Sequence, residues 1–165
     1  MSRKSLVTKS GIKQAFLPVN TLDSAVEERY IEDTTTGNLT DGNAANFYVR
    51  EEDWGIGQPF FLTSFNVYVQ DNAELCADYD DCIQVRFQIL AGNLTDIIGE
   101  SVITGMTNAA FSIDGSNWCI HYHYQFKTTL RVEQNQAIHL EVTNNTGQTI
   151  SAGNLDVTLR GYILI

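Results

Sequence analysis

The sequence predicts an all-β chain: an antiparallel two-sheet sandwich of jelly-roll type with an extended N-terminal arm. Three observations predict it. Ile83, Val85, Phe87 and Ile89 alternate with Gln84, Arg86 and Gln88. Ile120, Tyr122, Tyr124 and Phe126 alternate in the same way with His121, His123 and Gln125. Turn-forming pairs such as Asp71-Asn72, Gly92-Asn93 and Asp114-Gly115 punctuate the second half of the chain. A period of two puts one residue class on each face of a pleated strand, so these segments each cover a core with one side only. A single sheet cannot cover its own apolar face, and about eight or nine strands therefore pack as two layers.

The elements follow in chain order. Residues 1–20 hold several cations, few apolar anchors and no period, which predicts an extended arm ending near Pro18. Thr21 to Asp33 offers Ala25, Val26, Arg29 and Tyr30 for a short helix, with an irregular entry to the domain as the alternative. Gly37-Asn38 and Gly42-Asn43 supply residues suited to positive φ and mark turns. Strands are expected over 46–50, 60–70, 83–91, 97–104, 108–113, 118–126, 128–133, 137–143 and 155–164. The domain division that results is an arm, 1–20, and one sandwich domain, 21–165.

Composition bounds the function. A chain of 165 residues, 43% hydrophobic and 18% charged, can bury a core without metals or disulfides. The formal net charge is −10, and it is unevenly placed: Arg3, Lys4, Lys9 and Lys13 all precede the first acid, Asp23. Removing those four charges leaves −14 on residues 14–165. The body should repel nucleic acid, whereas the arm suits an acidic protein surface. No apolar run reaches the ~20 residues of a membrane span. Ser5 to Ser10 interrupts any secretory core, so synthesis in a cytoplasm is expected. Asn38, Asn93 and Asn144 each open a glycosylation-type triplet and read as turn residues in that setting. Cys76 and Cys82 bracket a loop in which a local disulfide is conceivable. With Cys119 they make an odd set, and free thiols are the expectation.

Two clusters are candidates for metal chemistry, although no cofactor is expected. His121 and His123 lie two apart on one strand, a spacing at which imidazoles share a metal, and His139 projects from a later strand beside Glu141. His121-Tyr122-His123 is similar to the His-x-His pair of cupin metalloenzymes. Gln125, Lys127 and Thr128 then stand where that pattern needs its glutamate, and no later Pro-x-Gly follows. The segment from Asp71 to Asp81 gathers five carboxylates, including Asp78, Asp80 and Asp81, of the kind calcium takes as ligands, without the central Gly of an EF-hand. Trp54 and Trp118 are candidate sugar-stacking residues, though aromatic side chains at strand spacing more often fill cores. No nucleophile elbow, phosphate loop or zinc-protease motif occurs, so no catalytic activity is expected.

The C-terminal stretch supplies one further signal. Ile138-His139-Leu140-Glu141-Val142-Thr143-Asn144-Asn145, followed by Val157-Thr158-Leu159-Arg160-Gly161-Tyr162, resembles the closing strands of small jelly-roll virion proteins of tailed phages. The resemblance covers about one fifth of the chain. It implies a capsid decoration, head-fibre or minor structural subunit, located in the virion, whose partners are major capsid or other virion proteins. The basic arm, with Arg3, Lys4, Lys9 and Lys13, agrees with assembly on a neighbouring copy. A ring such as a trimer would also cover strand edges. Two alternatives belong to other classes: a carbohydrate-binding module and, further off, a cupin-like metalloprotein.

Overall fold

The computed structural model describes residues 26–71, 82–103, 109–114 and 117–165, with only the backbone described within 101–118. The elements are β1 (Val26–Thr34), β2 (Ala44–Val49), the single-turn helix α1 (Glu51–Trp54), β3 (Phe60–Asp71), β4 (Ile83–Ala91), β5 (Ile97–Ile103), β6 (Ala109–Asp114), β7 (Asn117–Val132), β8 (Gln136–Asn144) and β9 (Leu155–Leu164). They form a five-stranded sheet in the order β1-β9-β3-β7-β6 and a four-stranded sheet in the order β2-β8-β4-β5. Every pairing between these strands is antiparallel. The chain crosses between layers from β1 to β2, β2 to β3, β3 to β4, β5 to β6, β7 to β8 and β8 to β9, which is the double Greek-key winding of a jelly roll. Among the described residues no helix is long and apolar enough to cross a membrane.

The alternations read from sequence become the two inner faces. Val67 and Val69 of β3, Leu155, Val157 and Leu159 of β9, and Ile120 and Tyr122 of β7 face Phe47 and Val49 of β2, Val85 and Phe87 of β4, and Ile138, Leu140 and Val142 of β8. Phe65 sits at the aromatic centre, with ring centroids 5.5 Å from Tyr124, 6.0 Å from Phe126 and 6.1 Å from Phe87. A bulge between Leu62 and Ser64 resets the phase of β3, so that Phe60 and Leu62 point inward before it and Phe65 and Val67 after it. Gly161 is required opposite this bulge: a Cβ there would lie 2.6 Å from the Phe60 ring and press on the Phe61 carbonyl.

Two segments differ from the sequence expectation. Residues 26–34 form a strand rather than part of a helix. Val26, Arg29 and Ile31 are half-buried, and all nine residues pair with β9 from Val26↔Leu164 to Thr34↔Asp156. Helical spacing in so short a window is weak, and the open edge of β9 offers a ladder that an isolated helix cannot match. The expected pair 118–126 and 128–133 is one strand, β7. Its register against β3 jumps from Leu62↔Leu130 to Ser64↔Gln125, so residues 126–129 are an insertion within the strand and not a hairpin turn.

Candidate functional site

The chemistry-bearing side chains lie on the two outward faces of the sandwich, which look in opposite directions. On the five-stranded sheet, cross-strand register aligns Glu32, Thr158, Asn66 and His123 in one row and Thr34, Asp156, Tyr68 and His121 in the next. The Asn66 carbonyl oxygen lies 2.7 Å from His123 Nδ1 and 3.3 Å from His121 Nε2, so one amide accepts from both imidazoles and fixes their orientation. Beside these rows is an open groove of about 540 Å³ lined by Glu32, Asp33, Thr34, Tyr68, Asp156 and Thr158.

The other end of the same face is aromatic. Phe61 stacks on Tyr162 with centroids 5.1 Å apart and planes within 8°. The Arg131 guanidinium lies 5.9 Å from the Phe61 centroid, and that of Arg160 lies 5.4 Å from the Tyr30 centroid. Tyr30 and Leu164 are 58% and 45% exposed, which leaves the patch open to a partner. Tyrosine, phenylalanine and arginine with their aromatic and guanidinium planes already aligned are the residues enriched at protein interfaces. They present large area at little cost in side-chain entropy.

The four-stranded sheet carries a cross-strand polar network on its outward face. His139 is buried; its Nδ1 lies 2.7 Å from Gln88 Oε1 and its Nε2 2.8 Å from Asn46 Oδ1. Gln88 Nε2 donates to Glu100, and Arg86 bridges Glu100 at 3.2 Å and Glu141 at 3.0 Å. Burial lowers the His139 pKa, Glu141 opposes that shift and Arg86 adds to it.

The sequence-derived candidates therefore separate. His121 and His123 remain together, but His139 stands on the other sheet's outward face and cannot join them at one metal. Among the described residues no group of three or more His, Cys, Asp and Glu side chains is placed to hold a metal ion. Trp54 is 1% exposed, donates from Nε1 to the Gln58 carbonyl and stacks on Phe60 at 5.3 Å, so its ring is core rather than a sugar platform. Trp118 lies in β7, opposite Asp71 in the ladder, and its side chain is outside the described set. Arg3, Lys4, Lys9, Lys13, Asp78, Asp80 and Asp81 also lie outside the described residues. Asp71, the first acid of the clustered loop, is buried and accepts from the Ser151 amide and Asn154 Nδ2, so it ties down the β8–β9 connection. Cys82 is disulfide-bonded, against the expectation of free thiols, while Cys119 is free and buried; Cys76 lies outside the described residues.

The sequence reading missed the aromatic and arginine patch. The signal was present as Tyr30, Arg160 and Tyr162 on polar-phase positions, but it needed the β1–β9 and β3–β9 registers to become a cluster.

Fold and faces together define a jelly-roll sandwich whose side-chain chemistry is displayed outward on its sheets. No protein family matches the sequence, and no characterised protein matches it. Among solved structures it is similar to a chain of Desmodium yellow mottle tymovirus, at 10% identity and a TM-score of 0.36 over 85% of this chain and 86% of that one. A chain of Cocksfoot mottle virus aligns at 10% identity and a TM-score of 0.36, covering 100% of this chain and 91% of that one. A CocE/NonD family hydrolase from Staphylococcus aureus aligns at 8% identity and a TM-score of 0.37, covering 85% of this chain and 36% of that one.

Proposed function

We propose that this chain is a structural subunit of a virus particle, without catalytic activity, that decorates or stabilises a phage capsid through protein contacts and associates with copies of itself. The observation that carries the reading is the outward-facing patch of exposed Tyr30 and half-buried Phe61 and Tyr162, with Arg131 laid over Phe61 and Arg160 over Tyr30. A face of this kind gains from burial against another protein, because its aromatic area is already ordered and its cations are already placed. The sequence adds two supports: a basic arm ahead of an acidic body, and closing strands that resemble those of phage virion proteins.

The test is sedimentation of the purified protein with particles of the virus that encodes it, stripped of this component. Saturable co-sedimentation, weakened by Tyr162→Ala, is the expected result. A folded protein that stays in the supernatant at every concentration overturns the virion assignment.

A further inference from the structure

The two sheet edges β1 and β2 leave an uncovered flank. Among the described residues β2 pairs only with β8, so alternate N–H and C=O groups along its other edge have no ladder partner. A groove of about 350 Å³ follows that edge and is lined by Ala44, Ala45, Asn46 and Phe47, among others. Consecutive strand residues point to opposite faces, so a groove touched by four in a row runs along the edge and not over either face. The two alanines keep it open.

A second, independent observation marks the groove as a binding place. Thr35 also lines it and is 8% exposed, and among the described residues its side-chain hydroxyl has no hydrogen-bond partner. Its backbone, by contrast, is fully used: the amide donates to the Leu155 carbonyl and the carbonyl accepts from the Gly153 amide. An unpaired buried hydroxyl is costly to keep unless something supplies its partner.

We propose that this groove receives residues 1–20 of an adjacent copy as an added strand on β2, with the Thr35 hydroxyl bonded to the incoming backbone. This deepens the self-assembly reading above and rests on it. Charge selects the occupant. Asp33 is exposed, lines the groove and has no ion pair among the described residues. Residues 1–20 carry Arg3, Lys4, Lys9 and Lys13 and no acid. Length also suffices: twenty extended residues reach roughly 66 Å, several times the ~13 Å that four strand residues span. The chain enters β1 at Val26, whereas Asp33 lies at the far end of that strand, so an arm arriving from a neighbour need not double back over its own sheet.

The experiment uses full-length protein carrying a photo-crosslinking amino acid at Asn46, an exposed groove residue. Copies labelled with ¹⁴N and ¹⁵N are mixed, irradiated and mapped by peptide mass spectrometry. Mixed-isotope crosslinks from position 46 to residues 1–20 are expected. Crosslinks joining only same-isotope peptides, or crosslinks in an oligomer that avoid residues 1–20, overturn the proposal while leaving the assembly reading intact. A full-length monomer without mixed crosslinks overturns both. In parallel, Thr35→Val should raise the self-association constant for dissociation by about two- to tenfold. It should do so without lowering thermal stability, and an unchanged constant argues against the assignment.

Discussion

Tyr48 lies flat on His139, with ring centroids 4.5 Å apart and planes within 7° of parallel. The two residues are register partners on β2 and β8, and the stack closes the outward face over an imidazole that also meets Gln88 and Asn46. Burial favours the neutral ring, so the folded-state pKa of His139 lies below its ordinary value. Below about pH 6.5 the unfolded chain takes up a proton that the folded chain resists. Stability contributed by this residue is therefore present above that pH and is lost as the pH falls toward the folded pKa. Urea denaturation of the wild type and His139→Gln across pH 5–7.5 should show a smaller pH slope in the variant. Identical slopes would contradict the assignment.

Gly161→Ala should destabilise the sandwich by about 1–3 kcal/mol, since the new methyl overlaps the Phe60 ring and the Phe61 carbonyl on a packed inner face. Chemical denaturation reads this directly. A neutral effect would mean that the bulge in β3 can relax away from β9.

Phe65→Ala removes the ring against which Tyr124, Phe126 and Phe87 pack and should cost about 3–5 kcal/mol. Val85→Asp is expected to be worse, because an unpaired carboxylate would stand in a core position that is 1% exposed. Expression with loss of the cooperative thermal transition is the predicted outcome for Val85→Asp.

These expectations show what the sequence made legible. Alternation through Ile83 to Ile89 and Ile120 to Phe126 identified half-buried strands because period two maps directly onto a sheet with one covered face. The strand at Val26–Thr34 was hidden, since its inward residues include Arg29, whose Nε donates to the Trp54 carbonyl instead of filling core volume. Residues 128–133 read as a second strand because an insertion within a strand and a turn between strands look alike without the partner's register. The site was less legible than the fold. Three histidines in the sequence suggested one cluster, and only the strand order shows that His139 belongs to the other layer. Trp54 was a candidate for sugar stacking, with a core role the commoner outcome for such a residue, and a single helical turn does roll its ring into the core.

Tyr30→Ala removes aromatic area that the isolated fold leaves largely on its surface and should leave the thermal midpoint nearly unchanged, whereas Tyr162→Ala removes a half-buried ring stacked on Phe61 and should lower the midpoint modestly without unfolding the sandwich. Self-association should weaken by about 1 kcal/mol or more for the residue nearest the centre of the contact. Dilution series followed by sedimentation equilibrium separate the two effects. A variant that unfolds would instead give these rings a core role.

The central claim is that this protein works by assembling through its outward faces and its basic arm. Size-exclusion chromatography with in-line light scattering on the full-length chain and on a form lacking residues 1–17 tests it most directly. A defined oligomer is expected for the full chain, insensitive to chelator, and a folded but more weakly associated species without the arm. A monomer in both forms at every concentration would contradict it.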